Sequence, residues 1–120
     1  MSQHIDLGKK GETWAAGWLL EKGFEILHRN WRYGRYEVDI IARRGDILHF
    51  IEIKSRRSDV YGHPEEGVTP KKIRNMMQAA LGWRLRFPGQ GHTRVQYDVL
   101  AITAPKDAKP EYFLIEDVYV

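Results

Sequence analysis

Asp39, Glu52 and Lys54 are the residues whose types and spacing best suit chemistry. Two carboxylates converging from neighbouring strands suit Mg²⁺, which takes one or two carboxylates and completes its octahedron with waters and phosphate oxygens. Lys54 lies two positions beyond Glu52 and shares its strand face, where an ammonium can orient an attacking water or stabilise a phosphorane-like transition state. The pattern points to metal-dependent hydrolysis of phosphodiesters. The simpler reading is a solvated strand face carrying an ordinary Glu-Lys pair. Glu12 weighs against it, because it falls at the centre of the helical stripe formed by Ala15, Ala16 and Leu19, so its carboxylate faces the sheet and needs a partner there. That partner is either an arginine or a cation shared with Asp39 and Glu52.

The elements that must position these groups are legible around one turn. Glu37 to Arg43 and Leu48 to Ser55 read as strands, joined by Gly45 and Asp46 in a tight hairpin. With those two at the centre of the turn, Arg44 faces Ile47, Ile40 faces Ile51 and Asp39 faces Glu52. Alternation then puts Val38, Ile40, Ile51 and Ile53 on a core face, and Glu37, Asp39, Glu52 and Lys54 on a polar one. A slip of one residue would mix the two faces, so the apolar pattern supports this register. Like charges directly opposed on adjacent strands are destabilising, and a divalent cation resolves that repulsion.

Further elements follow from periodicity and punctuation. A helix is expected from about Leu7 to Lys22, stopped by Gly23, and a strand from Phe24 to about Tyr33. A second helix should start at Thr69 as N-cap, with Pro70 in its first position, and run toward Pro88. Val95 to Thr103 and Tyr112 to Val120 read as strands. The order is αβββαββ, an α/β fold with a central mixed β-sheet and flanking helices, since each helix offers one apolar stripe to bury.

Length and composition agree with one domain spanning residues 1–120. A chain of 120 residues can bury one core, and 42% hydrophobic with 29% charged residues is ordinary for a globular protein. The absence of cysteine excludes disulfides, thiolate nucleophiles and cysteine-ligated metals. No basic leader or long apolar run is visible, so a cytoplasmic chain without membrane association is expected.

A net charge of +3 and a pI near 9.2 mildly favour an acidic partner. The distribution is more telling, with cations at Arg43 and Arg44, at Lys54, Arg56 and Arg57, and at Lys71, Lys72 and Arg74. The last three sit in the first turns of the second helix, where cations oppose the dipole and a phosphate would compensate. Arg56 and Arg57 would extend the same track along a nucleic acid, the plainer alternative being solvation. Trp14 and Trp18, at helical spacing, fit core or a partner interface better than base stacking. The histidines are scattered without the close pairing of a zinc site, His63 being the one worth watching, and Asp98 reads as a hydrogen-bonded structural acid.

The ordered set formed by Glu12, the run Glu37-Val38-Asp39-Ile40-Ile41-Ala42 and the run Phe50-Ile51-Glu52-Ile53-Lys54-Ser55-Arg56 resembles the YraN family. Those endonuclease-like proteins fall in the PD-(D/E)xK superfamily, distantly similar to archaeal Holliday-junction resolvases. The resemblance spans nearly the whole chain and includes Gly8 to Glu12, Asn30-Trp31-Arg32, the loop Gly62 to Val68, Lys71, Lys72, Arg74 and Tyr97-Asp98-Val99. It implies a restriction-endonuclease-like fold and a site with Glu12, Asp39 and Glu52 around Mg²⁺ or Mn²⁺ and Lys54 beside it. It also implies cleavage of DNA, ahead of RNA, with branched or structured DNA as the form attacked and a homodimer suggested by the dimeric resolvases. The alternative is a nucleic-acid-binding module that keeps the fold and cleaves nothing. One departure stands out. Tyr36 occupies a position where these relatives usually carry Gly, and its ring could narrow the approach or stack on a base.

Overall fold

The computed structural model of the chain describes residues 3–57, 67–89 and 94–118. Gly45, at a φ of 63°, closes the hairpin between β2 (Tyr36–Arg44) and β3 (Ile47–Arg56), with Arg44 opposite Ile47 and Ile40 opposite Ile51 as the turn chemistry predicts. Around this hairpin lie α1 (Gln3–Glu21), β1 (Glu25–Tyr33), α2 (Pro70–Arg86), β4 (Arg94–Thr103) and β5 (Glu111–Ile115), in the expected αβββαββ order. The sheet runs β1-β2-β3-β4-β5, antiparallel throughout except for the parallel pair β3 and β4. Parallel neighbours need a long crossover, and α2 falls within it.

Both helices end where the sequence signals lie. Gly23, at a φ of 90°, turns the chain after α1, while Phe24 N–H returns to the Leu19 carbonyl at 3.0 Å. Thr69 caps α2 by accepting the Lys72 N–H at 3.2 Å, and Pro70 follows at the first helical position. β5 stops at Ile115, short of the expected Val120. Asp117, at a φ of 57°, leaves the ladder and gives its N–H to the Asp98 carboxylate at 2.9 Å. The loop position His63 lies outside the described residues.

The two helices cover opposite faces of the sheet, which corrects the expectation of one apolar and one polar hairpin face. Beneath α1, Ala15 and Leu19 pack with Phe24, Ile40, Ala42, Ile51, Leu100 and Ile102. Beneath α2, Met76, Ala79, Ala80 and Trp83 pack with Val38, Ile41, Leu48 and Phe50. The centre of each hairpin strand is thus apolar on both sides, as the runs Ile40-Ile41-Ala42 and Phe50-Ile51 require. Burying a side chain such as Phe50, with none of its surface exposed, stabilises the fold by about 1.5–3 kcal/mol.

Val38 and Ile40 fall in different layers, although regular alternation would put them together. The interruption lies at Asp39. Across the ladder, Arg29 pairs with Ile40 and Trp31 with Val38, so Asn30 stands opposite Asp39, and Asn30 takes a left-handed φ of 55°. A left-handed residue rotates the strand, which is why His28 and Trp31 share a face with their rings 5.2 Å apart. The tryptophans serve packing: Trp18 stacks on Tyr112 at 5.5 Å, Trp31 Nε1 donates to the Ala79 carbonyl at 2.8 Å, and Trp14 and Trp83 join the two core layers.

Candidate active site

Asp39 and Glu52 come together, but not as a directly opposed pair. The β2/β3 ladder ends at Ile40 and Ile51, and beyond it the Asp39 side chain replaces the next rung by accepting the Ile53 N–H at Oδ2, 2.8 Å away. The strand irregularity leaves the Asp39 carboxylate lying toward β3, at the end of the β2/β3 ladder. Its carboxyl is raised from 3.8 to about 6, chiefly by burial, with Glu52, Glu37 and Glu12 adding repulsion and the Ile53 N–H opposing the rise. Glu12 acts most weakly of the three acids.

That ranking follows from the layers. Glu52 and Lys54 alternate with Ile51 and Ile53, so they lie on the α2 side, whereas Glu12 approaches from α1. The approach of α1 is close because Gly11 has no side chain: a Cβ there would overlap Ser55 Oγ. Asp39, at the break in alternation, stands between the two layers.

Lys54 extends toward the start of α2, its Nζ donating to the Gly67 carbonyl at 3.4 Å. A Cβ on Gly67 would collide with Lys54 Nζ, so glycine makes room for the ammonium. Burial lowers the Lys54 pKa, Lys72 lowers it further by hydrogen bonding and repulsion, and Glu52 pulls it back up. Lys72, expected on a phosphate track, is half-buried beside Lys54 and lines a cleft with Glu52. Lys71 and Arg74 are exposed on the same helix. Arg57 Nη1 donates to the Ala104 carbonyl at 3.3 Å, which ties its head group to the end of β4, and Arg56 is half-buried next to it.

Among the described residues, no three or more acidic or histidine side chains gather tightly enough to enclose a metal ion. An octahedral cation that keeps most of its waters needs fewer protein ligands than that. Mg²⁺ and Mn²⁺ suit one or two carboxylates with waters in the remaining positions, and Asp39 is a half-buried acid crowded by like charges that a cation would relieve.

A second acid sits deep in the sheet, away from this corner. Asp98 is 0% exposed and His49 1%, with His49 Nδ1 2.6 Å from Asp98 Oδ2; Gln96 Nε2 and the Asp117 N–H donate to the other oxygen. The structural role expected of Asp98 holds. Its partner His49 was not foreseen, because a contact between residues 49 positions apart has no local signature. Arg35, Asn75 and Gly67 were also missed at the corner, although Asn75 follows Lys71 by one helical turn, a spacing that puts them on one side of α2.

Comparison with known proteins places the chain. The model of the uncharacterised protein family UPF0102 matches residues 11–102. The chain belongs to that family. A UPF0102 protein of Rhodococcus jostii (strain RHA1) is 42% identical over 119 residues, covering 99% of this chain and 100% of the relative. One from Anaeromyxobacter dehalogenans is 46% identical over 97 residues, 81% of this chain and 72% of the relative. Among solved structures, Hjc, a Holliday junction resolvase from Archaeoglobus fulgidus, is similar with a TM-score of 0.49 at 16% identity, covering 88% of this chain and 74% of that one. The stretch matched to the UPF0102 family contains Glu12, Asp39, Glu52 and Lys54 together with α2 and most of β4.

Proposed function

We propose that this UPF0102 chain is a metal-dependent endonuclease that hydrolyses phosphodiester bonds in DNA, with branched or structured duplexes as its target. The observation that carries the reading is the corner at Asp39, where a half-buried carboxyl with a raised pKa meets Glu52, Glu12 and Glu37 while two lysines crowd the same end of β3. A purely structural strand end has little reason to gather Asp39, Glu52 and two lysines in one place.

Asp39 and Glu52 would hold Mg²⁺ or Mn²⁺, and Glu12, expected as a third ligand, would add its charge from the α1 side. When bound, the ion supplies Lewis acidity that activates water and neutralises charge on the phosphate. The Ile53 N–H keeps the Asp39 carboxylate fixed at the strand end. Lys54, its ammonium destabilised by burial and by Lys72, gives up a proton more readily than an ordinary lysine, which suits it to orient the attacking water. Lys72 stabilises charge at the transferred phosphoryl group. Lys71, Arg74, Arg56 and Arg57 would contact flanking phosphates, a term that weakens steeply with salt. A homodimer would present two such corners to two strands. Among the described residues no helix is long and apolar enough to cross a membrane. The proposed workplace is the cytoplasm.

The test is incubation of purified protein with branched and linear DNA in Mg²⁺ or Mn²⁺, beside Glu52→Ala and Lys54→Ala. Cleavage lost in both variants supports the reading. Cleavage that survives both would overturn the assignment of the site, and salt-dependent binding without any cleavage would leave the non-catalytic module.

A further inference from the structure

We propose that the cleft between Tyr36 and α2 is a nucleobase-binding subsite, in which the Tyr36 ring stacks on one base beside the phosphate held at the Asp39 corner and Asn75 hydrogen-bonds its edge. The inference rests on the nucleic-acid reading of that corner. The cleft has two lobes. The inner one, about 210 Å³, is lined by Glu37, Glu52, Lys72, Asn75 and Tyr36 among others, so it opens directly onto the candidate centre. The outer one, about 300 Å³, is lined by Arg35, Tyr36, Lys71 and Asn75, two cations and two neutral groups with no acid among them.

Tyr36 is built as a platform. One side of it packs against the α2 core layer, and its hydroxyl accepts a hydrogen bond from Arg35 Nη2 at 3.1 Å. The Arg35 guanidinium carbon lies over the ring, 5.1 Å from its centroid, so a base entering the cleft meets the aromatic ring and a planar cation together. A ring fixed in this way loses little freedom when a ligand stacks on it, and both tyrosine and arginine stack on bases of any identity. Asn75 offers a carbonyl oxygen and an amide N–H₂ on one exposed side chain, the pairing that reads a base edge. Lys71, one helical turn earlier, would meet the phosphate of the same nucleotide. An aromatic floor, an amide and flanking cations suit an unstacked nucleotide. A base inside a continuous duplex could not enter, so the target must present an unpaired or splayed position.

Binding of fluorescein-labelled forked DNA, measured by anisotropy in Ca²⁺ with an abasic site moved one position at a time, tests the subsite. In the unaltered protein, one abasic position should raise Kd roughly tenfold and its neighbours should not. Tyr36→Leu, which keeps the packing, should weaken intact DNA by a similar factor and remove that position's penalty, while Tyr36→Phe should keep it. Asn75→Ala should flatten the preference among bases at that position only. Equal affinity for every abasic position, or a penalty that persists in Tyr36→Leu, overturns the subsite. DNA that is bound and cut with those results removes the subsite alone; a position penalty without cutting keeps the subsite and removes the nuclease; no binding even at low salt removes both.

Discussion

The Asp39 carboxylate accepts the backbone N–H of Ile53, the residue between Glu52 and Lys54, at 2.8 Å. One hydrogen bond therefore ties the acid of β2 to the strand segment that carries the other two groups. It stands where the next rung of the ladder would be, and it holds Asp39 near Glu52 despite their repulsion. Because the anchor is the charged group itself, the site's stability and its chemistry are coupled.

Asp39→Asn keeps an acceptor for Ile53 N–H while removing the charge. Relieved of burial and repulsion, the metal-free variant should be more stable than the unaltered chain at pH 8 by up to about 3 kcal/mol, and it should lose cleavage. Urea denaturation in EDTA checks the first, and the DNA assay the second. A loss of stability at pH 8 would mean that the carboxylate is stabilising in the apo state.

The same carboxyl sets a pH dependence. Its folded pKa of about 6 lies above the ordinary 3.8, so the folded state holds a proton that the unfolded state releases first. Stability in EDTA should therefore fall as pH rises from about 4 through about 6 and level off above. Mn²⁺ should restore it on the alkaline side, where the ligands are ionised. Melting temperatures across that range, with and without Mn²⁺, read this directly, and Asp39→Asn should flatten the EDTA curve.

Lys72→Met probes the lysine pair. Lys72 is the second cause of the lowered Lys54 pKa after burial, so its removal should move the Lys54 titration upward toward an ordinary lysine. Selective ¹³C labelling of lysine side-chain carbons and NMR titration would follow it. If the Lys54 resonance titrates unchanged, burial alone sets its pKa.

Gly67→Ala should act on the site more than on the fold. The new methyl meets the outer part of the Lys54 side chain, which can swing aside, so stability should change by less than about 1 kcal/mol. Cleavage should fall at least tenfold as Lys54 leaves its position. Paired measurements of unfolding and DNA cleavage decide it; full activity would place Lys54 outside the mechanism.

Asp98→Ala should do the reverse. It leaves His49 without its partner in the interior and removes one acceptor from the Gln96 amide and the Asp117 N–H, at a cost on the order of 3 kcal/mol. Chemical denaturation should show this at every pH from 6 to 8, and activity per folded molecule should persist below the melting transition.

What the sequence by itself determined is local: the helix caps at Gly23 and Thr69, the Gly45-Asp46 turn, and through that turn the register from Arg44 opposite Ile47 to Ile40 opposite Ile51. Each follows from backbone preferences of a few adjacent residues, and they sufficed to bring Asp39, Glu52 and Lys54 to one end of one hairpin. Only the tertiary structure decided the rest. Two helices bury both faces of the sheet, so a period of two cannot say which apolar residue faces which helix, and a break in alternation at Asp39, opposite the left-handed Asn30, puts Val38 and Ile40 in different layers. The His49-Asp98 pair and the meeting of Lys54 with Lys72 join residues far apart in the chain. Contacts of that kind depend on how the crossover helix and strand β4 dock, and they leave no periodicity in the sequence to be read.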